Sequence, residues 1–463
     1  MKKQKIINIG LAGYGTVGRG VMSLLLSRND DLSVRAGAKL RVKRICDTTF
    51  KNKSSIKALS PAIKGLLKKN KNYRALLPEA KVYTPNIEDI FSDPEIDIFV
   101  ELIGGYQPAK RLILLALERG MDVVTANKNV LAKDFNELLA AAAKNKRRIY
   151  FEASVGAGIP IIAAINEGFC ANKIYGLAGI LNGTTNYILS NMSEGKADFD
   201  ESLKKAQGLG FAEADPTLDI TGQDSASKLA ILSSLIFKSH IKPEDIYVEG
   251  IEKVLPFDIA LGKEFGYTMK LFTLMEKVKP IPGSADMSEG AAFQVVPAFI
   301  KSSHPLASVS GAFNAIYIKS DAAGEQMLYG PGAGSLPAAS AVVSDIVYSA
   351  RHIMEKSVRH MPFFELRNKA PRIVDARNVE SCFYIRFTAE DRPGVLARIA
   401  DILSNYGISV ASVVQKDGFS PKAVPIVMLT HEASTGNIIN ALSEIDSLNM
   451  VKKKTVFYRL LDI

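Results

Sequence analysis

The feature that most constrains the fold of this chain is a glycine motif that closes its first apolar run. Residues 5–26 read KIINIGLAGYGTVGRGVMSLLL, in which a predicted strand, Ile6–Ala12, leads into GxGxxG and then a helix. Gly13 allows the tight turn, Gly15 lets a pyrophosphate approach the backbone, and Gly18 lets helix and strand pack closely. The helix N-terminus then faces the phosphates. The motif in this context predicts a dinucleotide-binding domain and disfavours a glycine turn without a ligand.

The end of the second predicted strand is where the ribose of a bound dinucleotide is expected. This strand covers residues 40–46, and Asp47 follows it, later than the usual spacing. A carboxylate there can hold a ribose 2′-hydroxyl, which favours NAD. Arg44, Lys51 and Lys53 lie close enough in sequence to suit the 2′-phosphate of NADP instead. The residues alone leave both cofactors open.

Beyond residue 93 the chain alternates short apolar strands with helices. Strands are predicted at 96–103, Asp122–Thr125 and 148–153, and helices at Ala109–Glu118 and 135–143. This alternation predicts a doubly wound parallel sheet that binds ligands at the carboxyl ends of its strands. Gly104-Gly105, Ala126-Asn127-Lys128 and residues 154–158 all fall at that edge.

Four carboxylates and one lysine crowd into GFAEADPTLDITGQDSASK, residues 210–228. Such carboxylates repel one another unless something cationic lies between them, such as a metal, a lysine or a bound ammonium group. Asp224 and Lys228 are four residues apart on one face of a predicted helix, Gln223–Phe237. Because that helix is mostly apolar, we expect Lys228 to be buried, and a buried lysine must be paired or functional.

The last part of the chain has a separate pattern. After a linker near Pro362 and Pro371, a strand at 383–388 leads into the turn Asp391-Arg392-Pro393-Gly394. A helix, Val395–Asn405, and a strand at 408–414 follow. This pattern predicts a compact β-α-β unit that is distinct from the rest of the chain.

Composition excludes several classes of protein. The 463 residues allow two or three domains. The formal net charge of +10 lies in scattered runs without interleaved aromatics, so nucleic acid binding is not expected. The three cysteines lie far apart in sequence, which disfavours disulfides and indicates a reducing cytosol. The five histidines lack the spacing of zinc ligands, which disfavours a catalytic zinc. No apolar run is long enough to span a membrane.

Six motifs, taken together, resemble those of homoserine dehydrogenases. They are GYGTVG, TANK, EASVGAGIPII, LNGTTNYIL, GFAEADPTLDITGQDSASKLAIL and YGPGAG, which span most of residues 6–350. The tail resembles an ACT domain, a regulatory module that commonly binds amino acids. The resemblance implies a doubly wound α/β dinucleotide-binding domain over 1–150, completed by about 331–365. It also implies an α+β catalytic and dimerisation domain over 151–330 and a βαββαβ ACT domain over 375–463.

The resemblance further implies an activity and a set of site residues. The family interconverts L-aspartate 4-semialdehyde and L-homoserine by hydride transfer with NAD(P)H, in threonine, methionine and isoleucine biosynthesis. Lys228 would be the main proton donor, Lys128 would assist and orient, and Asp224 would orient Lys228. Glu213, with Asp219 or Asp224, would bind the α-ammonium group of the substrate. The cofactor would contact Gly13, Gly15, Thr16, Val17, Gly18, Asp47, Ile103, Gly104, Lys128, Gly210 and Gly334.

Two further ligands are implied by the resemblance. A monovalent cation, expected to be sodium, would fix the hinge between domains through Glu152 and the carbonyls of Val155, Ala157 and Ile159. The tail would bind threonine near Asp391, Gly394 and Asn405 and inhibit the enzyme, or it would serve only as a dimerisation module. Both interpretations of the tail imply a homodimer or homotetramer.

One residue departs from the family pattern. Many relatives place an arginine suited to the 2′-phosphate at the end of the second strand, where this chain has Cys46. Strict preference for NADP is therefore not expected.

Two alternatives to the implied function remain. The first is a reductase of another amino-acid aldehyde, and the second is a non-catalytic dinucleotide and amino-acid sensor, which would leave a buried Lys228 unexplained.

Overall fold

The computed structural model describes residues 5–50, 82–195, 197–278, 290–355, 370–416 and 423–463. Its helices are α1 Thr16–Ser27, α2 Asn29–Ala36, α3 Glu88–Phe91, α4 Ala109–Glu118, α5 Lys128–Lys144, α6 Ile161–Ala163, α7 Gly183–Ser193, α8 Phe199–Gly208, α9 Thr217–Ile220, α10 Gln223–Phe237, α11 Pro256–Glu264, α12 Ser335–Glu355, α13 Val395–Asn405 and α14 Thr435–Asp446. No helix in these ranges is long and apolar enough to cross a membrane.

The strands of the same ranges are β1 Ile6–Ala12, β2 Lys39–Cys46, β3 Tyr83–Thr84, β4 Ile98–Glu101, β5 Asp122–Thr125, β6 Ile149–Tyr150, β7 Ile174–Ile180, β8 Tyr247–Val248, β9 Tyr267–Val278, β10 Gly290–Lys301, β11 Phe313–Ser320, β12 Gly324–Pro331, β13 Arg372–Ile373, β14 Glu380–Ala389, β15 Val410–Gln415, β16 Val424–Thr430, β17 Ala433–Ser434 and β18 Val451–Leu461. The chain forms two compact units. The first comprises Met1–Lys173, Ala230–Pro243 and Leu328–Ala370, and the second comprises Ile174–Leu229, Glu244–Met327 and Pro371–Ile463.

The first unit contains a six-stranded parallel sheet in the order β3-β2-β1-β4-β5-β6. This is the strand order of a doubly wound dinucleotide-binding fold, so the predicted fold class is confirmed. Apolar residues of β1, β2 and β4 pack against α1 and α12 in one buried cluster that includes Ile9, Val21 and Ile346. The carboxyl ends of β1, β2, β4 and β5 therefore lie along one edge of the sheet.

Several predicted boundaries in this unit need correction. The strand predicted at 96–103 is only Ile98–Glu101, and the one predicted at 148–153 is only Ile149–Tyr150, because a 3-10 turn begins at Glu152. The helix predicted at 135–143 begins earlier, at Lys128. Asp134 has non-helical backbone angles within that helix. The sequence pattern indicated only the part of the helix beyond this kink.

The second unit is built on a long mixed sheet in the order β12-β11-β7-β9-β10-β18-β14-β16-β15. The tail contributes β14, α13, β15, β16, α14 and β18, which confirms the predicted βαββαβ pattern. It does not form a separate sheet, however. Strand β18 pairs in parallel with β10, matching Ala298 with Arg459 and Ile300 with Leu461. The expectation that the tail is distinct from the body was therefore wrong for its backbone pairing.

A buried ion pair links the tail to the rest of the second unit. Asp258 on α11 is completely buried, and it accepts hydrogen bonds from Arg386 Nε at 2.6 Å and Arg386 Nη2 at 3.1 Å. The Tyr384 hydroxyl donates to the same carboxylate at 2.8 Å. Arg386 and Tyr384 both belong to β14. We call these three residues the Asp258 cluster.

A second buried charge in this unit is Lys270 on β9. Its side chain is 3 % exposed, and its ammonium donates to Asn186 Oδ1 at 3.1 Å and to the Val309 carbonyl at 2.5 Å. No carboxylate within the described ranges forms an ion pair with it. Burial lowers the pKa of Lys270 to about 8.

Lys270 should make stability depend on alkaline pH. The unfolded chain keeps the proton to about pH 10.5, whereas the folded protein releases it near pH 8. Because the unfolded state binds more protons in this interval, stability should rise as the pH goes from about 8 to about 10.5. Lys270→Met should lose that rise, whereas the exposed Lys204→Met should keep it. Thermal unfolding across the interval measures this, and identical slopes for wild type and Lys270→Met would exclude Lys270 as the titrating group.

Candidate active site

The glycine motif of the first unit has the geometry that its sequence predicts. Gly13 has φ of +96°, and a Cβ there would lie 2.4 Å from the Leu102 carbonyl oxygen. A Cβ on Gly18 would lie 2.2 Å from the Gly13 carbonyl oxygen. A Cβ on Gly15, in contrast, would meet no atom within 4 Å. Gly13 therefore makes the turn, Gly15 leaves the backbone open to a ligand, and Gly18 allows the close packing.

The N-terminus of α1 fits an anionic group. The helix begins at Thr16, and Gly15 provides no side-chain cap. The N–H groups of Thr16, Val17 and Gly18 belong to the first turn, where they have no acceptor within the helix. Free N–H groups and the positive end of the helix dipole suit a pyrophosphate. The open space at Gly15 and this uncapped terminus together fit a dinucleotide.

Substitutions at Gly15 and Gly18 should separate folding from binding. Gly18→Ala should destabilise the protein, because the backbone must shift. Gly15→Ala should leave unfolding within about 0.5 kcal/mol of wild type. It should weaken dinucleotide binding at least about tenfold, because a charge-assisted hydrogen bond contributes about 1.5–3 kcal/mol. Calorimetric titration and thermal unfolding of both variants check this. Unchanged affinity in Gly15→Ala would show that no phosphate approaches this glycine.

Asp47 holds the glycine loop in place. One carboxylate oxygen accepts the Tyr14 N–H at 2.6 Å, and the other accepts the N–H and hydroxyl of Thr49 at 2.9 and 2.7 Å. Although burial acts in the opposite direction, hydrogen bonds from Thr49 and Tyr14 hold the pKa of Asp47 below its ordinary value. A negative charge therefore lies at the carboxyl end of β2.

Of the cationic residues that could favour NADP, only Arg44 lies in the described part of the chain. Arg44 forms an ion pair with Asp93 at 3.1 Å. Cys46 is buried at the end of β2, and its carbonyl accepts the Gly13 N–H at 2.8 Å. Lys51 and Lys53 lie outside the described residues.

Glu101, a completely buried acid at the end of β4, was not among the predicted site residues. Its Oε1 accepts the Ile103 N–H at 2.8 Å and the Gly104 N–H at 3.4 Å. Its Oε2 accepts the Thr125 hydroxyl at 2.6 Å. Glu101 thus ties the loop after β4 to the end of β5. The available signal was an acidic residue among the otherwise apolar residues 98–103.

The residues of the TANK motif continue this network. The Thr125 hydroxyl accepts the Asn127 N–H at 3.0 Å, and the Asn127 amide donates to the Gly105 carbonyl at 2.7 Å. The Asn127 side chain also caps α5, whose first residue is Lys128. Lys128 is therefore held at the start of a helix, at the edge of the sheet where ligands are expected to bind.

The carboxylate-rich segment of the second unit forms a compact polar cluster. Lys228 is 9 % exposed, and its ammonium donates to Asp224 Oδ2 at 2.7 Å and to the Leu181 carbonyl at 2.6 Å. The predicted burial and pairing of Lys228 are therefore observed. The Asn182 amide donates to Asp219 Oδ1 at 2.7 Å and to Asp224 Oδ2 at 2.9 Å. We call Asn182, Asp219, Asp224 and Lys228 the Lys228 cluster.

Other predicted site residues are not joined to this cluster by hydrogen bonds. The Glu213 side chain is exposed, and no hydrogen bond connects its carboxylate to the cluster within the described part of the chain. Gly210 follows Leu209, the C-cap of α8, and has φ of +75°. In the first unit, Gly334 precedes α12, and its carbonyl accepts the Ala338 N–H at 3.2 Å. These two glycines therefore lie at helix ends.

The predicted cation ligands lie in one loop of the first unit. Glu152 is 6 % exposed, and its carboxylate accepts the N–H groups of Ile162 and Ala163, both at 2.8 Å. Burial raises the pKa of Glu152 to about 7. Gly156 and Ala157 both have positive φ, and the Ile159 carbonyl accepts the Ile161 N–H at 2.8 Å. Within the described ranges no group of three or more His, Cys, Asp or Glu side chains could hold a metal ion.

The predicted effector residues lie at two ends of one helix. Gly394 is the N-cap of α13 with φ of +89°, and the exposed Asp391 precedes it. Asn405 is the last residue of α13, which has 11 residues. At a rise of about 1.5 Å per residue, the helix separates Gly394 from Asn405 by roughly 16 Å. One amino acid in one chain cannot contact both ends.

Family models match the chain in three segments. Residues 13–152 match the homoserine dehydrogenase NAD-binding domain, 160–347 match homoserine dehydrogenase, and 383–448 match the ACT domain. The homoserine dehydrogenase of Neisseria gonorrhoeae is 36 % identical over 98 % of this chain and 99 % of its own. That of Bacillus subtilis is 35 % identical over 98 % of both chains.

Solved structures agree with the sequence relatives. A homoserine dehydrogenase from Thiobacillus denitrificans superposes with a TM-score of 0.87 at 39 % identity, covering 99 % of this chain and all of that chain. A hyperthermophilic archaeal homoserine dehydrogenase in complex with NADPH has a TM-score of 0.58 at 27 % identity, covering 74 % of this chain and 97 % of its own. The chain therefore belongs to the homoserine dehydrogenase family and is an NAD(P)-dependent oxidoreductase with a C-terminal ACT domain.

Proposed function

We propose that this chain interconverts L-homoserine and L-aspartate 4-semialdehyde, with Lys228 exchanging the proton at the reacting oxygen. The observation that supports this role most strongly is the hydrogen bonding of the Lys228 ammonium. An ammonium has three donors, and the Leu181 carbonyl and Asp224 occupy two of them. Within the described part of the chain the third has no acceptor, so it remains for a substrate oxygen.

Charge development on the substrate explains why an ammonium is useful there. In aldehyde reduction, negative charge grows on the carbonyl oxygen, and Lys228 stabilises that charge and donates the proton. In homoserine oxidation, the amine form of Lys228 accepts the hydroxyl proton as the hydride leaves carbon. The bound dinucleotide supplies the hydride acceptor or donor. Asp224 orients Lys228, and Lys128 assists and orients the substrate, as the family resemblance implies.

The carboxylates provide the site for the α-ammonium group of the substrate. Asp219 and Asp224 lie close together because the Asn182 amide donates to both. A cationic group between them offsets their mutual repulsion. Glu213, which is exposed, is the third carboxylate assigned to this group by resemblance. An ammonium and a carbonyl on one small molecule are the features that this arrangement would recognise.

The dinucleotide binds on the glycine loop of Gly13 to Gly18, with Ile103, Gly104, Lys128, Gly210 and Gly334 as the further contacts that the resemblance implies. Asp47 lies where a ribose hydroxyl is expected, and Arg44 is paired with Asp93. A carboxylate at this position repels a 2′-phosphate. We therefore expect NAD to be used at least as efficiently as NADP. The NADPH complex of the archaeal relative supports dinucleotide binding as such.

A monovalent cation, expected to be sodium, is assigned to Glu152 and the carbonyls of Val155, Ala157 and Ile159. The donor set fits, because all of these atoms are oxygens, which hard cations prefer. The raised pKa of Glu152 also fits, since burial makes a negative charge unfavourable there without a cation. The cation would stabilise this loop and would take no part in proton transfer.

The ACT domain is assigned a regulatory role with threonine as effector, in a homodimer or homotetramer. Since Asn405 lies at the other end of α13, we place the effector at the Asp391–Gly394 turn. The domains are assigned as 1–150 with about 331–365, 151–330 and 375–463. The family matches at 13–152, 160–347 and 383–448 support three segments in this order.

A steady-state assay tests the proposed function. Homoserine oxidation is followed by the absorbance of the reduced cofactor, with NAD and NADP in parallel and with other amino alcohols as competing substrates. We expect homoserine to have the highest kcat/KM. A higher value for another amino alcohol would favour a reductase of another amino-acid aldehyde.

A further inference from the structure

Asn182 lies at the centre of the Lys228 cluster and is also a helix cap. It is 4 % exposed and forms the N-cap of α7, where its Oδ1 accepts the Thr185 N–H at 2.8 Å. Its Nδ2 donates to Asp219 Oδ1 at 2.7 Å and to Asp224 Oδ2 at 2.9 Å. A carboxamide nitrogen has two hydrogens, so both are used on carboxylates.

The two hydrogen bonds from Asn182 offset the repulsion between the carboxylates of Asp219 and Asp224. Two carboxylates this close disfavour each other's charged form, whereas a hydrogen bond donated to a carboxylate favours its charged form. The amide is neutral, so it bridges the two carboxylates without occupying the place of a cation. Lys228 already donates to Asp224 Oδ2, the same oxygen that Asn182 contacts. A second lysine in the position of Asn182 would compete with the substrate ammonium for the same carboxylates.

Several other charged groups on the elements around α7 have their own partners or are exposed. Asp219 lies on α9, and Asp224 and Lys228 lie on α10. Lys270 on β9 donates to Asn186, one turn further along α7. Asp258 on α11 is paired with Arg386, Lys319 on β11 is paired with Glu325, and the charged residues of α8 are exposed.

We infer that Asn182 is a positioning residue whose amide holds the carboxylates of Asp219 and Asp224 side by side, so that they bind the substrate ammonium and orient Lys228. This inference rests on the proposed function. Asn182 itself contacts neither the reacting oxygen nor the cofactor in this account. Its effect on the reaction passes through the two carboxylates.

Two variants separate this role from helix capping. Asn182→Ser keeps a side-chain oxygen of the kind that caps helices but removes both amide donors. Asn182→Asp keeps the shape and the cap but adds a third carboxylate. We expect both variants to raise KM for homoserine about ten- to a hundred-fold near pH 7, with a smaller effect on kcat.

A stability measurement tests the inference independently of activity. In Asn182→Ser, the two carboxylates lose the donor that they share, so their mutual repulsion is no longer offset. This repulsion acts only between charged carboxylates, so it lowers stability at neutral pH and disappears on acidification. The deficit in unfolding temperature relative to wild type should therefore be larger at pH 7 than at pH 4. Ser434→Ala removes the neutral N-cap of α14 and should give a deficit that does not change with pH.

The outcomes are distinguishable from failure of the proposed function. If wild type does not oxidise homoserine, the proposed function fails, and the pH-dependent stability deficit still decides the role of Asn182. A deficit that is equal at pH 4 and pH 7, with an unchanged KM for homoserine in both variants, would make Asn182 a helix cap only and overturn the inference.

Discussion

Lys228→Ala should lower kcat for homoserine oxidation by about 10²- to 10⁴-fold, which is the usual contribution of a positioned acid or base. Lys228 is buried, and its ammonium is aligned by Asp224 and the Leu181 carbonyl. Alanine supplies neither the positive charge nor the proton. The residues of the glycine loop do not change, so dinucleotide affinity should stay within about twofold of wild type. Steady-state kinetics measures kcat, and calorimetric titration measures the affinity for the dinucleotide.

A matched lysine controls for the loss of positive charge. Lys204 is exposed on α8, in the same unit, and Lys204→Ala should leave kcat unchanged. If Lys228→Ala retained more than about a tenth of the wild-type kcat, proton transfer by Lys228 would be excluded. A loss of cofactor binding together with turnover would instead indicate that the variant is misfolded, and far-UV circular dichroism would reveal this.

Asp258→Ala should destabilise the protein by about 3–5 kcal/mol, because it leaves the Arg386 guanidinium buried without its partner. Asp258 is completely buried, and the guanidinium contacts both of its oxygens. The Tyr384 hydroxyl loses its acceptor as well. Urea unfolding followed by fluorescence or circular dichroism gives the difference in free energy.

The double variant Asp258→Leu/Arg386→Met provides the control for a buried pair. Replacing both charges by apolar residues of similar volume should restore much of the lost stability, because no uncompensated charge remains. Arg398→Ala breaks the exposed pair with Asp401 on α13 and should cost less than about 1 kcal/mol. Equal effects of Asp258→Ala and Arg398→Ala would contradict the account of the Asp258 cluster as a strong link between α11 and the tail.

Regular elements of the fold were predictable where local signals were strong. The bounds of β1, α4, β5, α10 and α13 agree with the prediction. Apolar runs and glycines define each of these segments within its own sequence. The shortened β4 and β6 and the earlier start of α5 depend on long-range pairing and on a kink at Asp134, which no local pattern indicates. The pairing of β18 with β10 joins segments about 160 residues apart, so it could not be inferred from periodicity.

The charged members of the candidate site were predictable from composition, but their organisation was not. Crowded carboxylates and the spacing of Asp224 and Lys228 indicated a cluster. The neutral residue that bridges the carboxylates, Asn182, lies 37 residues before Asp219 in sequence. Glu101 is the last residue of a strand whose other residues are apolar, and it was not predicted to belong to the site. Both contacts depend on the tertiary fold, which brings together residues from different elements.

The central claim is that the chain transfers a hydride from homoserine to a nicotinamide. Homoserine deuterated on its hydroxyl-bearing carbon is incubated with the protein and NAD or NADP, and the dinucleotide is analysed by mass spectrometry. The account predicts a reduced cofactor that carries one deuterium and an aldehyde product that retains the other. Saturating binding of the dinucleotide without any deuterium transfer, in the presence of sodium and over the neutral pH range, would contradict it.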